Sequence, residues 1–305
     1  MATADTVTQS EQLPEQADVP KQRRRQRRRI ELTDVLLYLA YFVILLVFIG
    51  PLLWVVSLSL KTKAEVVAYP PRLIPETFQW QNYVYIMQNT RVPLFLYNSA
   101  KLTFFAVIGG LFVSVPAAFA YSRFRFRGRA SSLFGLLTFQ MISPLVVAIP
   151  LYRYFNRLGL LDTHFSVILV YITVMIPFTV WLLKGFFDSI PLELDDAARI
   201  DGCNRLQSLI RVILPLAAPG IFAAMVFNVI SAWSQFIVPY ILLSETAKFP
   251  VSVGILFFQS SQVEGELTVH LLAAAVIVAM LPALLIFAVL QRYVVGLMVA
   301  GAVKG

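Results

Sequence analysis

The chain has 305 residues, of which 58% are hydrophobic and 14% are charged. Soluble domains carry about 25% charged residues, so this composition predicts a protein that crosses a membrane several times. The single cysteine, Cys203, excludes an intramolecular disulfide, and the net charge of +8 is carried by segments that flank apolar runs, which argues against a nucleic-acid partner.

The first 30 residues are polar and end in the basic run KQRRRQRRR at 21–29. We expect a disordered cytoplasmic tail, 1–30, whose charge keeps the N-terminus inside the cell. Binding of nucleic acid or of anionic membrane lipid by this run is the less favoured alternative.

Six stretches that lack Asp, Glu, Lys and Arg follow the tail, and each contains the ~20 residues that a helix needs to cross the bilayer. Because a helix satisfies its own backbone groups within lipid, we predict an all-α fold, a polytopic membrane protein with six transmembrane helices in a domain covering 31–293. The predicted spans are 35–60, 100–122, 131–153, 165–184, 216–243 and 268–291, and a C-terminal tail covers 294–305.

Prolines lie inside these spans, where each removes a backbone donor and allows a kink. They are Pro51, Pro116, Pro144, Pro150, Pro177, Pro219, Pro239 and Pro282. Ordinary packing of membrane helices is one explanation, and a bundle that bends between two states is the other.

The positions of Lys and Arg predict the orientation of the spans. With both termini in the cytoplasm, 17 of the 25 basic residues fall in cytoplasmic segments. Membrane proteins carry an excess of Lys and Arg in such segments. We therefore expect both termini, and the polar segment between the fourth and fifth spans, to lie in the cytoplasm.

That polar segment, 184–211, reads KGFFDSIPLELDDAARIDGCNRLQSLIR and is followed by VILP. Pro191 can open a helix at its first position, and Gly202 can end that helix in a left-handed conformation. A second helix is expected over about 204–213, before Pro215. The segment therefore predicts a helix–glycine–helix elbow that is small enough to enter a cleft on a partner.

The charges of this segment favour a protein partner over a lipid surface. Asp195 and Arg199 stand four residues apart and can pair, which leaves Asp196 to meet a basic residue of the partner. Ala197 and Ala198 permit close approach. The alternative is an amphipathic helix on the membrane surface, but several carboxylates in one short helix are unfavourable on an anionic leaflet.

Six residues of this segment stand at the spacing of a known motif: Asp196, Ala197, Ala198, Gly202, Leu214 and Pro215. The pattern resembles the EAA loop of ABC-transporter permeases, with Asp196 in place of the usual Glu and Val212 in place of the usual Ile. More widely, the chain is similar to the smaller permease subunit of carbohydrate importers of the maltose-transporter type. The matching segments are Asn98-Ser99, AYSRFRFRGR at 120–129, QMISPLVVAIPLY at 140–152, IPFTVWLLKGFFDSIPLEL at 176–194, AWSQF at 232–236 and QRYVVGLMVAGAVKG at 291–305.

This resemblance implies the type I fold of ABC-importer permeases, a place in the inner membrane, and a set of partners within the membrane and on both of its sides. They are a second, larger permease subunit in a heterodimer, two ATP-binding subunits, an extracytoplasmic substrate-binding protein, and a sugar or oligosaccharide substrate. Within the coupling loop, 188–215, contact with the ATPase is expected for Glu193, Asp195, Asp196, Ala197, Ala198, Arg199, Asp201, Gly202, Leu214 and Pro215. A second contact is expected at the C-terminal tail, for Gly301, Ala302, Val303, Lys304 and Gly305.

Missing motifs narrow the functional class. The sequence contains no G-x-x-x-x-G-K-[ST] loop, so we expect ATP hydrolysis on the partner subunits and neither a catalytic site, a cofactor nor a metal in this chain. No carboxylate lies inside a predicted span, which argues against a self-powered secondary transporter. The alternatives are a permease for a glycerol-phosphate-type or other small polar solute, and a stand-alone channel or facilitator, which would not need the 188–215 loop.

Uncharged polar and aromatic side chains within the spans suit a sugar. The candidates for a substrate path are Asn228, Ser231, Trp233, Ser234 and Gln235 in the fifth span, and Gln140 and Ser143 in the third. Asn228, Ser231 and Gln235 fall on one face of a continuous helix. Hydrogen bonds between helices are the alternative use of the same groups.

Overall fold

The computed structural model describes residues 32–258 and 269–302, and the predicted tail, 1–30, lies outside them. The chain divides into two compact units, 1–50 and 51–305. The described part of the first unit is the beginning of a helix, and its apolar side chains from Val35 to Val47 are exposed. Such uniformly apolar exposure is typical of a helix that is surrounded by lipid.

Every regular element within the described residues is helical. A π-helical turn, Leu209–Ile213, joins α9 to α10, and a 3-10 turn, Thr246–Lys248, lies between α12 and α13. The α-helices are α1 (Leu32–Ser59), α2 (Lys63–Val67), α3 (Gln81–Asn89), α4 (Val92–Arg123), α5 (Arg129–Phe139), α6 (Pro144–Arg157), α7 (His164–Asp188), α8 (Glu193–Ile200), α9 (Arg205–Ser208), α10 (Leu214–Leu216), α11 (Ala218–Ser234), α12 (Ile237–Leu242), α13 (Val251–Phe258) and α14 (Val269–Ala302).

Four segments of the described chain are long and apolar enough to cross a membrane, namely Val35–Ser59 of α1, the whole of α4 and of α7, and Val269–Val289 of α14. Two bent pairs meet the same criteria, which are α5 with α6 at 91° and Arg205–Leu216 with α11 at 79°. With each bent pair counted as one span there are six. The predicted all-α, polytopic membrane fold is therefore confirmed.

The third predicted span, 131–153, is two helices rather than one, because α6 begins at Pro144 after a short break. Pro144 has no N–H to bond the carbonyl of Gln140, and its ring would clash with that carbonyl in a continuous helix. A residue before proline is driven to an extended conformation, and Ser143 accordingly has ψ of 131°. Its Oγ caps α6 by accepting a hydrogen bond from the N–H of Leu145 at 3.3 Å.

The fifth predicted span, 216–243, is interrupted in the same way at Gln235. Pro239 stands four residues later and cannot bond the carbonyl of Gln235, so α11 ends at the preceding residue and Gln235 is extended. Its carbonyl instead accepts hydrogen bonds from Ser252 Oγ at 2.8 Å and from the Tyr171 hydroxyl at 3.4 Å. The remainder of the apolar run forms α12, so this run contains two helices rather than one kinked helix.

The centre of the fold is the pairing of α4 with α7. Two buried clusters follow this pair along its length, and the first contains Leu102 and Ala106 of α4 with Tyr171 and Met175 of α7. The second lies toward α8 and is built from Val107, Leu111, Phe119, Val180, Leu183, Phe187, Leu209 and Ile213. The polar segment after α7 is therefore packed onto the ends of α4 and α7.

Asn98 and Ser99, near the start of α4, attach that helix to the segment between α12 and α13. The Asn98 amide donates to the carbonyls of Ala247 at 2.8 Å and Phe249 at 3.0 Å. Ser99 Oγ accepts from the N–H of Val251 at 2.8 Å. Both side chains are buried, and they satisfy backbone groups that no helix of the described chain satisfies.

A charged anchor lies at the same end of the bundle. Asp162 adopts φ of 56°, a left-handed conformation that Asp tolerates. Its carboxylate accepts from the N–H groups of Ser244 and Glu245 at 2.9 and 3.0 Å and pairs with Lys248 Nζ at 2.8 Å. Partial burial favours the neutral acid, but the Lys248 and backbone donors outweigh it, so the pKa of Asp162 is lowered.

The last helix, α14, runs to Ala302. The sixth predicted span ended at 291 and was followed by the predicted tail, 294–305. The backbone of this tail is helical as far as Ala302, while Val303, Lys304 and Gly305 lie outside the described residues.

Candidate functional site

The elbow after α7 is closed by Gly202, as its sequence predicts. The N–H of Gly202 donates to the carbonyl of Arg199 at 3.0 Å, and the N–H of Cys203 donates to that of Ala198 at 2.9 Å. These two bonds, with φ of +82° at Gly202, form a Schellman motif. The first arm, α8, begins at Glu193 rather than at Pro191.

The second arm begins with a capping box. Asn204 Oδ1 accepts from the N–H of Gln207, and Gln207 Oε1 accepts from the N–H of Asn204, both at 2.9 Å. The arm then continues through the π-helical turn as far as Leu216 and bends into α11. It is longer than the predicted 204–213, because Pro215 falls within its last turn and does not end it.

Asp195 lies inside the elbow, which differs from its expected pairing with Arg199. Its side chain is 11% exposed, and Oδ2 lies 2.7 Å from Nε of Arg123, the last residue of α4. Within the described residues neither atom has a partner in hydrogen-bond geometry, so the contact is an ion pair. Oδ1 accepts from Ser208 Oγ on the second arm at 2.9 Å. Arg199 contacts Asp196 instead, at 3.5 Å.

The outward side of the elbow combines acidic and apolar groups. Its exposed residues include the acidic Glu193, Asp196 and Asp201, the apolar Ile200, Leu206, Ile210 and Pro215, and the basic Arg199, Arg205 and Arg211, together with Ala197 and Gly202. Ile200, beside the glycine turn, is 87% exposed. Ala198 is buried and Leu214 is half-buried. Exposed apolar side chains on a rigid, charged elbow are typical of a protein–protein contact.

A small polar cavity of about 170 Å³ lies between the end of α4 and the two arms. Arg123, Asp195, Arg199 and Arg205 line it. The Arg205 guanidinium lies over the Phe124 ring, 4.5 Å from its centroid, a cation–π contact. Both arms are therefore attached to α4 by cations.

The predicted substrate-path residues of α11 make contacts between and within helices. Asn228 is fully buried, and its amide donates to Thr179 Oγ1 of α7 at 3.0 Å. Trp233 Nε1 donates to the carbonyl of Ala279 in α14 at 3.1 Å. Ser234 is exposed and its Oγ donates to the carbonyl of Ile230 at 2.9 Å. Asn228 and Trp233 thus make interhelical hydrogen bonds, which the sequence offered as the alternative use of these groups.

The remaining candidates do not share a helix face. Ser231 lies half-buried on α11, whereas Gln235 lies beyond the end of that helix, so the predicted stripe does not form. Ser143 is a helix cap. Gln140 is exposed and lines a groove of about 900 Å³ between α5, α6, α7 and α12. Among the described residues that line this groove, Thr173 and Tyr154 are the other polar side chains.

Residues 106–298 match the family described as "Binding-protein-dependent transport system inner membrane component". This match covers more than half of the chain and includes the elbow. The chain belongs to this family. It is a multi-pass permease of the inner membrane, and the resemblance seen in its motifs is confirmed.

Named relatives of this permease include transporters of sugars. It is 32% identical to the sulfoquinovosyl glycerol permease protein SmoH of Agrobacterium fabrum, over 88% of this chain and 93% of the relative. It is 31% identical to the maltose/maltodextrin permease protein MalG of Photorhabdus laumondii, over 88% and 95%. A crystal structure of a bacterial ABC transporter that imports alginate superposes with a TM-score of 0.75 at 25% identity, over 86% of this chain and 98% of that one.

Three contacts of the permease were not predicted from its sequence, namely those of Arg123 and Ser208 with Asp195 and that of Thr179 with Asn228. Arg123 was read only as one of the charges that set the orientation, although it stands within the matching segment 120–129. Ser208 and Thr179 carried no signal, because their partners, Asp195 and Asn228, lie 13 and 49 residues away.

Proposed function

We propose that this permease is one subunit of an importer for a sugar or oligosaccharide and that its elbow docks into a separate ATPase. The observation that carries the proposal is the outward side of the elbow. Glu193, Asp196 and Asp201 expose carboxylates on the same elbow that exposes Ile200 and Leu206, a combination that suits a cleft with an apolar floor and a basic rim. The absence of an ATP-binding motif assigns hydrolysis to other subunits.

The proposed orientation places the elbow and both termini in the cytoplasm, where ATP is available. It is supported by the distribution of Lys and Arg, since Arg123, Arg125, Arg127 and Arg129 then share the cytoplasmic side with the elbow. The Asp162 anchor then lies on the opposite side, where a substrate-binding protein would deliver its ligand.

A second permease subunit is the proposed partner within the membrane. The apolar groove beside Gln140 offers a solute few polar groups, so this chain alone provides only part of a sugar path. A heterodimer with a larger permease, and two ATPases below it, would complete the path. Because MalG and SmoH are named for sugar-containing solutes, we propose a sugar over a phosphorylated small solute.

We also propose that the C-terminal residues 301–305 form the second contact with the ATPase. Gly301 and Ala302 end α14 with little side-chain bulk, which allows a partner to approach the helix end closely. A stand-alone channel would need neither this contact nor the elbow.

The test is ATP-dependent uptake of labelled sugars into proteoliposomes that contain the complete importer. We expect Asp196→Lys to lower uptake at least about tenfold, since the reversal would place like charges opposite each other in the docked interface, which costs several kcal/mol. Ser131→Lys, which adds a lysine at an exposed position of α5 at the same end of the bundle but outside the elbow, is the control. Full uptake by Asp196→Lys at normal membrane abundance would refute docking through this face.

A further inference from the structure

We propose that the Arg123–Asp195 ion pair is the positioning contact that makes the elbow move as one body with α4. In this inference, which rests on the proposed function, the pair is required to convert ATP hydrolysis into transport. It does not touch the ATPase or the solute. Its task is to carry displacement of the docked elbow into the membrane helices.

The pair contacts the segment that leads into the elbow, its first arm and its second arm. Arg123 contacts Asp195 of the first arm at 2.7 Å and donates from Nη2 to the carbonyl of Ile190, in the segment that leads into that arm, at 3.1 Å. Through its other oxygen, Asp195 accepts from Ser208 of the second arm. One residue at the end of α4 thus organises the entry, the first arm and the second arm.

The Arg123–Asp195 pair is more buried than the Arg199–Asp196 pair of the elbow. The Arg123 and Asp195 side chains are 7% and 11% exposed, whereas those of Arg199 and Asp196 are 53% and 70% exposed. An exposed pair is screened by water and contributes little. A buried pair that loses one partner leaves an uncompensated charge, so the elbow could not keep its position without either member.

The other contacts of the elbow also favour transmission of its displacement to α4. Arg205 lies over Phe124, which follows α4, and Phe124 packs edge-on against Phe119 of α4. Leu209 and Ile213 belong to the buried cluster that α4 and α7 share. The link to α11, in contrast, is a π-helical turn followed by a 79° bend. Displacement of the elbow therefore reaches α4 through the charged and aromatic contacts of Arg123 and Phe124, whereas α11, which shares the buried cluster through Ala224, has a bend in the chain between it and the elbow.

The first experiment compares Asp195→Asn with Asp188→Asn in the complete importer. Asp188 also joins α7 to α4, through Ser122 Oγ at 2.7 Å, but it lies outside the elbow and is more exposed. We expect Asp195→Asn to retain the ATPase during purification and to lower uptake per ATP hydrolysed about tenfold, equivalent to about 1.4 kcal/mol. Asp188→Asn should change that ratio less than about twofold.

The second measurement uses the single cysteine of the chain, Cys203, which follows the glycine of the elbow. A spin label there should be immobile in the otherwise unchanged importer and mobile in Asp195→Asn, whereas a merely stabilising pair would leave it immobile. If Asp195→Asn does not accumulate in the membrane, the double variant Arg123→Met/Asp195→Leu carries the same expectations, because it leaves no buried charge unpaired.

The outcomes separate this inference from the proposed function. Unchanged uptake per ATP in the Asp195 variant, or an immobile label despite lost coupling, overturns the positioning role of the pair and leaves docking intact. An unmutated chain that retains no ATPase overturns the proposed function itself.

Discussion

The glycine turn of the elbow offers a matched test of whether its shape is needed for transport. Gly202 and Gly128 both have φ of +82°, and at neither would an added Cβ meet any atom within 4 Å. Gly128 precedes α5 at the same end of the bundle, outside the elbow. Replacing either glycine with alanine therefore imposes the same backbone strain and no steric clash.

The size of that strain follows from the conformation. A left-handed backbone costs a residue with a Cβ about 1–2 kcal/mol, which shifts a local two-state equilibrium by about 5- to 30-fold. In Gly202→Ala the strain falls on the Schellman turn and opens the angle between α8 and α9. We expect uptake to fall by up to about 30-fold in that variant and to be close to normal in Gly128→Ala.

The assay is ATP-dependent uptake, normalised to the amount of permease in the membrane. Gly202→Asn is the conservative variant, because Asn adopts the left-handed conformation more readily than Ala, and it should recover most of the uptake. Equal losses in Gly202→Ala and Gly128→Ala would mean that general destabilisation, and not the elbow, explains the defect.

Three further predictions concern the helix contacts, the charged anchor and the C-terminus. Asn228→Leu should lower the free energy of unfolding by about 1 kcal/mol, as measured by thermal denaturation in detergent, without changing sugar specificity; a changed specificity would return Asn228 to the substrate path. Asp162→Asn should lower the melting temperature at neutral pH, because a carboxylate whose pKa is lowered by folding stabilises the folded state at pH values above its ordinary pKa of 3.8. The difference in melting temperature between Asp162→Asn and the unmutated permease should disappear as the pH falls below 3.8. A difference that persists at acid pH would contradict this prediction. Deleting 301–305 should lower substrate-stimulated ATP hydrolysis without preventing assembly, and full stimulation would make the segment a simple terminus.

Local sequence signals predicted the local features of this permease. Gly202 was assigned a left-handed turn because few other residues adopt that conformation cheaply, and the Schellman motif confirms it. The charge-free runs likewise predicted the spans, since hydropathy over about 20 residues reports on the membrane directly. In both cases the signal is local, because it lies in one turn for Gly202 and in one stretch of about 20 residues for each span.

Long-range pairing was not predictable in the same way. The sequence offers Asp195 a partner four residues away in Arg199, and the spacing rule for helices selects it. The folded chain provides a better one in Arg123, because the end of α4 is packed against the elbow and removes both charges from water. Which of two cations a carboxylate meets depends on the packing of helices, and the pattern along one helix does not contain that information.

The sequence contains a local signal for the two helix breaks, but the prediction used it only in part. Pro144 and Pro239 were read as kinks, yet each stands four residues after a glutamine whose carbonyl it cannot bond. A kink leaves such a carbonyl within a bent helix, whereas here Gln140 and Gln235 both end their helices. The breaks also change where polar groups can serve a solute. Along unbroken α11, Asn228 and Trp233 are already bonded to neighbouring helices, so we expect a sugar path through this subunit to use polar groups at the breaks, such as the exposed Gln140 side chain.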